Sequence, residues 1–254
     1  MCLQDLEWVR KMPFDLANIR LSEMTLLGST LRTIGLGAQS IEEVGQRVVG
    51  CLYNDFIDPT DRVRANVLVR FYLTVPYCEL DSDLKAFAAR LIDEHELLPT
   101  TPCLTLLATA GDKDEWNSRK LSKGHQTIPL PSAAVVQAIP MVSQLITQLG
   151  LDLGTLLSAD RSLLLEAEQR TYNVFFVPRA LGSLYIPAQA DFVAPNNVQS
   201  VVGFGGLLPT GEVYAVLMFT RVPVSRSAAD IFRNAAMNLK VALLPFAGRA
   251  TFQP

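Results

Sequence analysis

The chain has 254 residues, 49% hydrophobic and 19% charged, with a formal net charge of −3 at pH 7. That length suffices for one large core, or one domain with a small appendage. No basic run or stripe occurs, which argues against a nucleic-acid binder. Mean hydropathy is positive at +0.24, yet no stretch reaches the ~18 consecutive apolar residues of a spanning helix, so no membrane insertion is expected. Asp5 and Glu7 stand where a signal peptide would carry Lys or Arg; a cytoplasmic protein is expected.

In chain order, residues 3–12 read as a weak amphipathic helix ended by Pro13. A second helix is predicted over 21–34, with Leu21, Met24, Leu27, Leu31 and Ile34 on one face. A third opens at Ser40, whose hydroxyl can cap the first turn while Glu43 reaches back; Ile41, Val44, Val48, Leu52 and Phe56 form its buried stripe. Residues 63–75 alternate β-branched and aromatic side chains as a strand. Asp81 or Ser82 starts a helix carrying Leu84, Phe87, Ala88, Leu91 and Ile92 inward, and the apolar run 103–109 reads as a central strand.

The stretch 111–131 is the most polar of the chain and reads as solvated loop. Helical pieces over 133–138 and 141–149 flank Pro140, with Gly150 placed to cap the second. Another helix is predicted over 163–170, a strand over 172–177 and a Pro- and Gly-punctuated loop over 178–195. The end of the chain reads as strand (199–208), a Pro209-Thr210-Gly211 turn, strand (212–221), and a helix started by Ser227 with Asp230. Both faces of the last strand are apolar, so it should be covered on both sides. Interleaved helices and strands without a βαβ rhythm predict an α+β domain with an antiparallel sheet.

No catalytic pattern stands out. Cys2, Cys51, Cys78 and Cys103 form no CxxC pair and read as buried reduced thiols. With only His95 and His125 to add, no clustered metal ligands emerge. His95, in a run of acids, reads as a surface residue. Gly203-Phe204-Gly205-Gly206 invites a phosphate-loop reading, but Leu207, Leu208 and a hairpin follow where a helix would be required. A bulge or close backbone approach inside a sheet is expected, with contact to a ligand as the other reading. Ligand-contact candidates are Trp116 and His125 in the polar loop, Tyr172 and Phe175 around the strand 172–177, Tyr185 among Pro and Gly, and Phe204 between the glycines.

The segment SVVGFGGLLPTGEVYAVL, Ser200 to Leu217, followed by Ser227 to Leu244, resembles the closing hairpin and exit helix of a GAF-type sensory domain, of the enlarged kind found upstream of bacterial histidine kinases and diguanylate cyclases. Leu107 to Gly111 with Trp116-Asn117, Ile128 to Ser132, and Tyr172 to Pro178 are similar to the same group. The resemblance implies a GAF-like central antiparallel sheet flanked by helices over 20–246, with an enlarged helical middle at about 81–170. Residues 1–19 would be an N-terminal helical segment and 247–254 a tail.

The resemblance also implies a non-catalytic sensor of two-component or related signalling. A small ligand or partner of unknown identity would bind at the sheet and bias the last helix. Without a kinase or cyclase segment in the chain, the signal would pass to such a partner outside it. Bilin attachment would need a Cys beside a His, and no such pair occurs. Two other readings stand beside the sensor. One is a ligandless dimerisation scaffold, a homodimer through Ala235, Ala236, Leu239, Ala242 and Leu243 of the last helix. The other is a thiol-dependent methionine sulfoxide reductase-like enzyme using Cys78 and Cys103.

Overall fold

A computed structural model describes residues 14–92, 94–157, 173–249 and 251–253. The chain is a mixed α/β protein built on a six-stranded sheet in which every pairing is antiparallel. Its strands are β3 (Asn66–Pro76), β4 (Pro102–Gly111), β5 (Thr127–Pro129), β6 (Val174–Val177), β7 (Ser200–Leu207) and β8 (Val213–Thr220), in the order β5-β4-β3-β8-β7-β6. Two short strands, β1 (Phe14–Asp15) and β2 (Phe56–Ile57), pair in parallel apart from it. Among the described residues no helix is long and apolar enough to cross a membrane. The helices expected over 3–12 and 163–170 lie outside the described residues.

β7 and β8 are buried along their whole length, because helices cover both faces of the sheet. The first face carries α1 (Leu21–Thr33), α2 (Ile41–Asp55), α7 (Arg226–Ile231) and α8 (Arg233–Leu243), with α3 (Ser82–Ala89) contributing Leu84. The second carries α4 (Ala133–Gln137), α5 (Pro140–Gln148) and the loop 178–198; a further short helix, α6 (Leu153–Leu157), is partly packed against this second core. Phe14, Leu16 and Ile19 join the first core with α1, so the segment 14–19 belongs to the same packing unit. The middle of the chain is not purely helical either, since it holds β4 and β5.

Local signals set the helix ends. Ser40 Oγ accepts from the Glu43 N–H at 3.2 Å, and the Glu43 carboxylate accepts from Gln39 N–H at 2.8 Å, one residue beyond the expected cap. Met24, Leu27 and Leu31 of α1 are buried as predicted, whereas Leu21 is exposed. In α3, Leu84 and Ala88 point inward while Leu91, just past its end, is exposed. Gly150 has φ 78° and ends α5, with its N–H on Thr147 O and that of Leu151 on Ile146 O.

Three readings need correction. The loop over 111–131 contains β5, whose Thr127 hydroxyl bonds that of Thr105 at 2.9 Å, so its polar side chain is satisfied inside the sheet. The last helix starts at Ser225, which accepts from Ala228 N–H at 3.2 Å; the Ser227 hydroxyl is occupied with Ser225 instead. That helix is also two helices, α7 and α8, divided at fully buried Phe232, whose ring packs on Phe56 and stacks on Phe204.

α8 lies flat in the first layer. Ala235, Ala236, Leu239, Ala242 and Leu243 are buried in the core shared with α1, and Tyr214 of β8 donates its hydroxyl to Ala236 O at 2.9 Å. The stripe expected to pair two copies is therefore enclosed within one chain. Beyond α8 the chain folds back: Thr251 O accepts from Glu42 N–H, and Gln253 N–H donates to the Glu42 carboxylate, both at 2.9 Å. At the far edge of the sheet, Gln148 Oε1 accepts from Phe176 N–H at 2.8 Å and plugs the open side of β6.

Gly203 and Gly205 of β7 are explained by close approach of β8. A Cβ on Gly205 would fall within the van der Waals surface of Tyr214 O and lie 3.0 Å from Ala215 Cα. These are backbone atoms of a paired strand, which cannot swing away. Gly205→Ala should cost roughly 2–4 kcal/mol, read as a lowered urea midpoint with an unchanged m-value; a loss under about 0.5 kcal/mol would show that β7 and β8 can separate without penalty.

Candidate functional site

Arg70 projects from β3 into the second face of the sheet, a largely apolar face that also carries Tyr72, Thr74 and Thr109. The register places Thr109 of β4 on one side of Arg70 and Leu217 of β8 on the other, followed by Gly203 and Phe175. Arg70 is thus the second member of a row of five whose far end is the fully buried ring of Phe175.

Among the described residues its guanidinium meets only neutral oxygens. Nη2 donates to Ser122 Oγ at 3.0 Å, and Nη1 reaches Tyr72 Oη at 3.2 Å and Gly124 O at 3.4 Å. Nε is buried with no acceptor, and Thr109 Oγ1 on the neighbouring strand is buried with no partner. No carboxylate among the described residues forms an ion pair with Arg70. A half-buried cation without a counterion is costly, and an orphaned donor beside an orphaned hydroxyl adds to that cost.

The partners come from a short segment of the polar loop. Ser122 is buried and accepts from Arg70 while donating to Gly124 O at 3.2 Å; Gln126 Nε2 donates to Ser122 O at 2.5 Å. His125 sits between them at φ 58°, the left-handed region. Its imidazole pKa is lowered, first by desolvation and second by the Arg70 charge. The residue itself is exposed in the loop.

Of the residues singled out in the sequence, the structure brings His125 beside Arg70 and places Phe175 on the same face. Trp116 borders that face, half-buried, with its ring edge on Phe192 at 5.5 Å and Lys113 Nζ 4.7 Å above it. Tyr185 is 40% exposed in the loop 178–198. Phe204 points to the opposite face and stacks on Phe232 in the first core, so it packs the helix layer. Tyr172 lies outside the described residues. Arg70, Thr109 and Ser122 escaped sequence reading: Arg70 was one polar beat in an alternating strand, and Ser122 lies 52 positions away from it.

The loop 112–126 is tied on both sides of the sheet. Arg119 bonds Glu42 at 2.6 Å and lies 5.1 Å over the Phe252 ring, and Glu42 in turn holds Gln253. Asp112 accepts from Tyr53 Oη at 2.6 Å and pairs with Arg221. Burial and Asp112 push the Tyr53 phenol up to about 12, so it stays a neutral donor.

The thiols differ sharply. Cys103 is fully buried in β4, and burial pushes its pKa up to about 12 against a small lowering by Thr127. Cys51 bonds Asp55 at 3.2 Å, and Cys78 is exposed. Among the described residues no three His, Cys, Asp or Glu side chains gather as metal ligands would. No protein-family model matches the sequence, and no curated protein matches it.

Two expectations follow. In the native protein a disulfide reagent should modify Cys78 rapidly and leave Cys103 untouched at about pH 8, because the thiolate is the reacting form; equal rates by peptide mapping would show that β4 opens readily. His125 gives a pH signature. Its folded pKa is depressed, so the unfolded chain binds the extra proton first, and stability falls as pH drops through about 6.5, levelling off below the folded value. His125→Asn keeps a residue tolerated at positive φ and should flatten Tm between about pH 7 and pH 5 relative to the parent; parallel profiles would remove His125 from the electrostatics of Arg70.

Proposed function

We propose that the chain is a non-catalytic sensory or regulatory module of GAF-like architecture, acting in the cytoplasm in bacterial signal transduction. A small ligand would bind on the second face of the sheet. The observation that carries this reading is Arg70, a cation on a largely apolar face with, among the described residues, neutral partners only and an unfilled Nε. The closing hairpin β7–β8 followed by helices packed on the sheet supports the architecture.

A route for the signal is available. The segment that touches Arg70 belongs to the loop whose Arg119 holds Glu42, and Glu42 holds the tail beyond α8 at Thr251 and Gln253. A ligand that favours one arrangement of Ser122–Gln126 would bias that tail, by no more than its difference in affinity for the two arrangements. A signalling kinase or cyclase is the partner we propose for this output.

A second reading, a dimerisation scaffold, is favoured by Met237, Val241 and Leu244, which form an exposed apolar stripe on the outer side of α8 at 50%, 46% and 42% exposure. The sulfoxide reductase reading loses support from Cys103, which burial holds as a thiol.

Native mass spectrometry of protein purified from its source organism should reveal a bound small molecule that Arg70→Gln no longer retains. An unliganded mass, together with no thermal stabilisation from a metabolite panel, would count against the sensor. In light scattering, a dimer converted to monomer by Val241→Glu would favour the scaffold; a monomer before and after the change would rule it out.

A further inference from the structure

Arg70 is bonded as though its true partner were missing. A guanidinium presents five N–H donors in a planar fork suited to a carboxylate or phosphate, and charge-assisted bonds are about twice as strong as neutral ones. Here Nη1 and Nη2 use a hydroxyl and a carbonyl from Ser122 and Gly124 in addition to Tyr72, Nε uses nothing, and the adjacent Thr109 hydroxyl is also unfilled. The covering segment adds to the positive field. Residues 117–131 contain Arg119, Lys120 and Lys123 and no Asp or Glu; among the described residues only Arg119 of these is neutralised, by Glu42 and more distantly by Asp81.

Resting on the reading of the second face as the ligand face, we infer that Arg70 anchors the oxyanion of a small ligand, a carboxylate or a phosphate group, which takes the places held by Ser122 Oγ and the Gly124 carbonyl. Two neutral acceptors give way to one anion, and the guanidinium gains a counterion that no described residue provides. Thr109 supplies a hydroxyl donor from β4. Ser122–Gln126 is the segment displaced, in which Ser122 is buried while Lys123 and His125 are exposed. Leu217 on the adjacent strand gives an apolar neighbour beside the anchor, which suits a ligand with an uncharged remainder.

The test is NMR of the full chain titrated with sodium phosphate or sodium acetate, against sodium chloride at equal ionic strength. The Arg70 Nε–H resonance and the Gly124 and His125 amides should shift saturably with one of the two oxyanions and not with chloride; which one identifies the ligand group. Arg70→Gln should abolish the amide shifts, and Arg70→Lys, which keeps the charge but loses the fork, should weaken binding about tenfold. Ser122→Ala removes a competing acceptor and should tighten binding about two- to fivefold, a gain that a purely structural role for the cluster does not produce and that stands even if Arg70→Gln fails to fold.

Shifts no larger than with chloride, shifts that persist in Arg70→Gln, or a Ser122→Ala variant that binds no tighter would each overturn the anion site. Saturable binding at Arg70 with the Thr251–Gln253 amides unmoved would leave the anion site standing and remove the sensory reading. A co-purified uncharged ligand that moves the tail would do the reverse.

Discussion

A sheet covered on both faces imposes one constraint on everything packed against it: a polar group there must find a partner within the protein. β7 and β8 are buried along their whole length, and several polar groups of the sheet are matched locally. Thr74 accepts from Val213 N–H at 2.8 Å, Ser200 bridges Pro178 O and Val224 N–H at 3.0 Å each, and Tyr214 finds Ala236 O in the helix above it. Four buried side-chain atoms have no partner among the described residues, Asn66 Oδ1, Arg221 Nε, Arg70 Nε and Thr109 Oγ1, and the last two belong to residues paired across β3 and β4. Buried polar atoms left unpaired cost free energy that folding must offset elsewhere, and a ligand that completes them recovers it on binding.

The sequence made some of this legible because the signals were local. The cap at Ser40, the αL stop at Gly150 and the two apolar faces of β8 depend on residues within one or two turns or strands of each other. Leu239, Ala242 and Leu243 were recognised as one apolar stripe, but periodicity does not tell whether such a stripe meets its own chain or another copy; the packing of α8 against α1 decides that. β5 was hidden because three residues give no period, and Thr127 looks like a loop residue until Thr105 is brought opposite. The break at Phe232 was hidden because aromatic burial at a core junction has no helix-stop signature. The candidate site was the least legible part. Arg70, Thr109 and Ser122 come from two adjacent strands and a loop, and each alone fits an ordinary surface or strand pattern.

Glu42 occupies an unusual position for a residue in the first turn of a helix. Its backbone N–H meets Thr251, one carboxylate oxygen meets Arg119 and the other accepts from Gln253. Carboxylates are favoured near helix N-termini by the unpaired N–H groups there, so α2 stabilises the negative charge that Arg119 and the tail both use. The polar loop and the end of the chain are thereby held by one side chain, itself largely buried.

The edges of the sheet carry a consequence for assembly. β5 is three residues long and ends in Pro129, with Pro131 just beyond it; β6 is four residues long, is followed at once by Pro178, and has the Phe176 N–H stoppered by Gln148. Proline offers no donor, and a stoppered amide offers none either. Strand addition from a neighbouring polypeptide is thus hindered at both margins, which protects a hydrophobic chain with an antiparallel sheet at its core from growing into ribbons.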